Sequence, residues 1–190
     1  MVNVGFICEG YTEWFILKSE KFQILLNELN LFAVGILNVE GNGNLLPRNI
    51  EKHTQNLQDD GADAIVILTD LDEDMCVTKT KVRIGNNDNQ HIVIAVKQIE
   101  AWFLADTETM KSIFRGKFLF EYPENESVPF ETIRQFYITK FSKGIVGPGD
   151  KKKLVLKMLN AGFSIQNAAN HPNCPSARYF LNKLQEIANN

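Results

Sequence analysis

Hydrophobic positions along the chain fall into short unbroken runs, separated by stretches with helical spacing. Residues 2–8, "VNVGFIC", form the first run and read as a buried strand. From Thr12 the spacing changes. Trp14, Leu17, Phe22, Leu25 and Leu29, with Phe15 and Leu26 beside them, share one broad helical face and predict a helix to about Leu29. Residues 33–39 form a second strand, closed by "EGNGN" (40–44). Residues 45–59 predict a helix with Pro47 in its first turn, where proline is tolerated. "AIVIL" (64–68) is a third strand, apolar on both faces, and it ends in "TDLDED". Residues 75–84 predict a helix, "HIVIAV" (91–96) a fourth strand, and "QIEAWFLADTETMKSIF" (98–114) a further helix.

Strands that are continuous apolar runs belong to parallel sheets covered on both faces. The first part of the chain, 1–115, therefore predicts a doubly wound α/β core with a mainly parallel four-stranded sheet. After it comes "RGKFLFEYPENESVP" (115–129), a loop rich in proline, charge and aromatic residues. Helical patterns follow at 130–142, 151–161 and 176–188, interrupted by "GIVGPGD" and "NHPNCP". Residues 116–190 read as a helical extension packed on the same domain, being too few to bury a core of their own.

The 190 residues are 44% hydrophobic and 23% charged, which is ordinary for a globular chain with a full core. A net charge of −3 gives no global basic field to attract nucleic acid, so any such contact must be local. Three cysteines, Cys8, Cys76 and Cys174, are scattered without a CxxC pair, which predicts a reduced, cytoplasmic setting. No run reaches the roughly 18 apolar residues of a membrane span, so no membrane association is expected.

Ligands of open parallel sheets gather beyond the carboxyl ends of the strands. Glu9 falls at such an end after the first strand, and Asp70 and Asp72 follow the third. If 70–72 stays extended, the two aspartates point to one side. If the first and third strands are neighbours, all three carboxylates converge. They resist ionising together unless a cation offsets their repulsion. Hard oxygen ligands suit Mg²⁺ or Mn²⁺ rather than zinc. The plain alternative for each acid alone is a cap on the following helix.

"FICEGYTE" (6–13) with "ILTDLDED" (67–74) resembles the TOPRIM domain of topoisomerases, primases, recombination proteins and overcoming-lysogenization-defect nucleases. "EGYTE", "EGNGN", "TDLDED", "KQIEAWFLAD" and "CPSARYFLNKL" look like a family of small stand-alone TOPRIM-like prokaryotic proteins, often associated with phage defence. The resemblance implies Mg²⁺ held by Glu9, Asp70 and Asp72, with Glu9 as ligand or general base. It implies Glu13 as ligand of a second ion, and marks Glu100 and Asp106 as signature residues without a stated role. The nucleophilic tyrosine of topoisomerases has no counterpart here, and Tyr11 reads as a packing or pocket-lining residue.

Such a site suits phosphodiester hydrolysis or phosphoryl transfer on DNA or RNA. Glu73 and Asp74 are secondary acids that serve either a second ion or a solvated helix start. Lys97, at the end of the fourth strand, is a candidate for facing the reacting phosphate. Lys143, Lys151, Lys152 and Lys153 belong to a local basic stretch that could carry nucleic acid, the alternative being a solvated helix face. Glu100 and Asp106, six positions apart, point to different faces of a helix, and Glu100 lies nearer the strand end. Trp102 and Phe103 read as core, and His171 with Cys174 as loop packing, since two zinc ligands are missing. A rival functional reading is a non-catalytic TOPRIM-like module that senses a metal, a nucleotide or a partner protein.

Overall fold

A computed structural model describes residues 1–72, 74–85, 89–142 and 150–189. Strands β1 (Val2–Cys8), β2 (Leu31–Asn38), β3 (Ala64–Asp70) and β4 (Gln90–Ala95) form a single sheet in the order β2-β1-β3-β4. Every pairing is parallel. Helices α1 (Tyr11–Leu17) and α2 (Glu20–Glu28) connect β1 to β2, α3 (Pro47–Asp59) connects β2 to β3, and α4 (Val77–Ile84) connects β3 to β4. The predicted α/β class is the one observed.

All seven residues of β3 are buried, as expected for a central strand covered on both sides. Successive side chains point to opposite faces. On one face Ile7, Ile65, Ile67, Ile92 and Ile94 pack with Ile50 and Leu57 of α3 and Ile84 of α4. On the other, Phe6, Cys8, Val66, Leu68 and Val93 pack with α1, α2 and the C-terminal helices. Helix α3 approaches the sheet so closely that a Cβ on Gly5 would stand 2.9 Å from Leu57 Cβ.

The chain leaves β1 toward β2 and leaves β3 toward β4 on the opposite side, so the order of the sheet switches between β1 and β3. A cleft is expected beyond the carboxyl ends of those two strands.

Two predicted helices are each divided. The one through Leu29 breaks at Ser19, whose hydroxyl caps α2 by accepting from the Phe22 N–H at 3.3 Å. The one over 98–114 breaks into α5 (Glu100–Ala105) and α6 (Thr107–Phe114) at Asp106. The buried Asp106 carboxylate accepts from the Thr109 N–H and hydroxyl, the Ser164 N–H and the Asn167 side chain, so it joins α6 to α9 (Ile165–Asn170). Periodicity alone does not register such a cap, because the apolar spacing continues across it. Helix α9 itself falls in a stretch with no predicted element; Ser164 caps it.

Beyond α6 lie α7 (Pro129–Phe141), α8 (Lys151–Asn160) and α10 (Pro175–Ala188). Phe180 of α10 stacks on Phe22 and on Trp102, so the extension shares the core cluster of the sheet. Trp102 is buried and donates from Nε1 to Ser176 Oγ at 2.7 Å, and Ser176 Oγ donates to Glu124 at 2.6 Å. Among the described residues, no helix is long and apolar enough to cross a membrane.

Candidate active site

The strand ends are tied together by the main chain before any side chain is considered. The Glu9 N–H donates to Leu68 O, and the Gly41 N–H donates to Glu9 O at 2.9 Å. Glu9 accepts a hydrogen bond from the Thr69 hydroxyl. Asp70 closes β3, and its Oδ1 accepts the Ile99 N–H at 2.7 Å.

Asp72 departs from the extended backbone assumed in the sequence reading. Its φ is +46°, in the left-handed region, and its N–H donates to Lys97 O at 2.8 Å. The chain turns here, yet Asp70 and Asp72 both line the same cleft, whose volume is about 570 Å³. Glu9 and Glu13 line it as well, with Tyr11, Gln98, Lys151 and Lys152.

The acids deep in this cleft are strongly perturbed. Glu13 is only 4% exposed. Burial, reinforced by the charges of Glu100 and Glu9, pushes its carboxyl up to about 8. Asp70 is raised well above the usual carboxylate range, first by burial and then by Glu13 and Glu100. Burial raises Glu9, with Asp72 adding to the effect and the Thr69 hydrogen bond opposing it. Gly10 makes room for this arrangement: a Cβ there would stand 3.2 Å from Glu13 Oε2.

Glu100, 1% exposed at the start of α5, accepts from the Thr12 hydroxyl at 3.2 Å and pairs with Lys151 Nζ at 3.3 Å. Burial pulls the Lys151 ammonium down, but Glu100, Asp70 and Glu13 together leave it raised.

The other candidates sit elsewhere. Asp74 pairs with Arg83 at 2.8 Å and accepts from the Thr80 hydroxyl, which holds its carboxyl low. Lys97 does not line the cleft; its carbonyl holds Asp72 in place. Lys152 lines the cleft and stands 5.7 Å from the centre of the Phe15 ring. Lys153 pairs with Asp150 at 2.7 Å. Glu73 and Lys143 lie outside the described residues. Asp106 is a structural cap, and His171 Nδ1 accepts from the Asn173 N–H in its own loop.

Gln98, which lines the cleft, and the buried Thr69, which holds Glu9, were not singled out in the sequence. Gln98 donates to Asp72 Oδ1 at 3.3 Å, and its Oε1 is buried without a hydrogen-bond partner among the described residues. The rule that picked out Glu9 and Asp70 applies equally to Gln98, three residues beyond β4. Thr69 is the second, hidden by its position inside an apolar strand.

The donors are hard oxygens whose mutual repulsion a divalent cation would offset, so in chemistry they fit Mg²⁺ or Mn²⁺. As the side chains stand, no group of three or more His, Cys, Asp or Glu among the described residues is gathered into a metal site. Compared with known proteins, the chain matches no family model, no curated protein and no solved structure.

Proposed function

We propose that the cleft is the active site of a Mg²⁺- or Mn²⁺-dependent phosphoryl-transfer enzyme, a nuclease of TOPRIM type acting on DNA or RNA. The observation that carries this reading is the lining of one cleft at the β1–β3 switch point by Glu9, Glu13, Asp70 and Asp72, with Lys151 and Lys152 beside them. The resemblance of "EGYTE" and "TDLDED" to TOPRIM motifs supports it, and extends it to phage defence. The three free cysteines accord with a cytoplasmic setting.

Glu9, Asp70 and Asp72 would hold the ion, with Glu13 available to a second. A bound ion supplies charge neutralisation at the phosphoryl oxygens and lowers the pKa of water. Glu9, which burial raises from the usual carboxylate range, is the candidate to take a proton from an attacking water. Lys152 would draw the substrate backbone to the cleft. Thr69 orients Glu9, and Ile99 N–H orients Asp70, so both carboxylates are held before substrate arrives.

The test is cleavage of single- and double-stranded DNA and RNA with Mg²⁺ or Mn²⁺. Glu9→Gln and Asp72→Asn should abolish product while leaving the melting temperature within a few degrees. Intact substrate under every condition would defeat the reading. In that case the second reading, a binding module, gains ground. The specific observation favouring it is that the acids are not gathered into a ligand group and already have an internal cation, Lys151.

A further inference from the structure

Three carboxylates, Glu13, Asp70 and Glu100, are buried around the cleft; Glu100 pairs directly with the Lys151 ammonium, and Glu13 and Asp70 line the same cleft as Lys151. Lys151 Nζ stands 3.3 Å from Glu100 Oε1 and 3.4 Å from Oε2. Helix α8 packs directly on α1, the helix that carries Glu13. Lys151 is also the first residue of α8, where a cation opposes the helix dipole. Its ammonium is therefore held by Glu100 and not favoured by its own helix. The four-carbon stem lets the ammonium leave without any shift of the backbone.

We propose that Lys151 is a resident counter-ion of the cleft, held by Glu100 in competition with a divalent cation, so that the charge at position 151 sets how tightly the cleft takes Mn²⁺ or Mg²⁺. The inference rests on the cation-site reading given above. With no divalent ion bound, Lys151 offsets the repulsion of the buried acids. Glu9, Asp70 and Asp72 would hold a divalent ion with twice the charge of the ammonium, and Lys151 would then swing out to solvent. The released lysine then stands at the cleft mouth, where a phosphate would meet it.

Mn²⁺ binding to the full chain, followed by calorimetry and by thermal shift, tests this in wild type, Lys151→Met and Lys151→Arg. Lys151→Met should bind Mn²⁺ about tenfold more tightly or better, the scale of removing one like charge from the same cleft. Lys151→Arg, which keeps the charge, should stay near wild type. A second measurement needs no variant. Acetylation of wild-type Lys151 by an N-hydroxysuccinimide ester, read by mass spectrometry, should speed up several-fold on adding Mn²⁺. Lys111, paired with Glu108 on α6, should not respond. Unchanged or weaker Mn²⁺ binding in Lys151→Met, with unchanged acetylation, overturns the inference and leaves the cation site standing. No Mn²⁺ binding in any of the three proteins overturns the cation site and the inference with it.

Discussion

Gly10 lies against the carboxylate of Glu13: a Cβ built on Gly10 would stand 3.2 Å from Glu13 Oε2. The backbone of Gly10, with φ −143° and ψ −177°, is extended and open to any residue. Its requirement is therefore space beside a buried acid, not an unusual conformation. Gly10→Ala should cost under about 1 kcal/mol of stability, since such a contact yields by a few tenths of an ångström. It should weaken Mn²⁺ binding, because Glu13 must shift. Denaturant melts and Mn²⁺ titration of the same preparation separate the two effects. A large loss of stability with unchanged Mn²⁺ binding would show that Gly10 serves the fold alone.

Glu13 also gives a pH dependence with a definite sign. Its carboxyl is raised from 4.5 to about 8 in the folded chain, first by burial and then by Glu100 and Glu9. The folded state therefore holds a proton that the unfolded chain has already lost. Glu13's contribution is fully present below about pH 4.5 and is lost as pH rises through about 8. At about 1.4 kcal/mol per pKa unit, the swing is on the order of a few kcal/mol. Glu13→Gln removes it. In EDTA, the variant should gain on wild type between pH 5 and pH 9 in urea melts. A constant difference across that range would sink the assignment.

Much of this was open to reading from the sequence, and the reasons are physical. The strands of a parallel sheet are buried on both faces, so "VNVGFIC" and "AIVIL" announce themselves by composition alone. The strand-end rule then places Glu9, Asp70 and Asp72 at one cleft without coordinates. What stayed hidden depends on partners distant in the chain. The break at Asp106 is made by Ser164 and Asn167 as much as by Thr109. The pairing of Lys151 with Glu100 spans 51 positions and leaves no local trace. Asp72 kept its place in the cleft by a route the alternation rule does not describe, a left-handed turn tied to the Lys97 carbonyl.

Asp106 should behave as a residue of the fold and not of the cleft. It is fully buried and receives hydrogen bonds from Thr109, Ser164 and Asn167. Asp106→Ala leaves those donors unpaired and should cost about 3 kcal/mol or more. Chemical denaturation measures the loss, and Mn²⁺ affinity of the protein that remains folded should match wild type. A loss of affinity at full stability would move Asp106 into the cleft's machinery.

The three lysines at the start of α8 are not equivalent, and nucleic-acid binding should sort them. Lys153 is engaged with Asp150 at 2.7 Å, and Lys151 with Glu100. Lys152 lines the cleft with its ammonium 5.7 Å from the centre of the Phe15 ring, a placement that leaves its charge available to a phosphate. Each phosphate contact contributes about 0.7 to the slope of log affinity against log salt for a single strand, and about 0.9 for a duplex. Lys152→Gln should therefore weaken binding of a fluorescent oligonucleotide and reduce that slope by about one contact. Lys153→Gln should change the slope far less, since the charge it removes is already offset by Asp150. Equal effects from both substitutions would mean that the strand follows the outer face of α8 instead of entering the cleft, and would separate the basic residues from the acids that the proposed chemistry needs beside them.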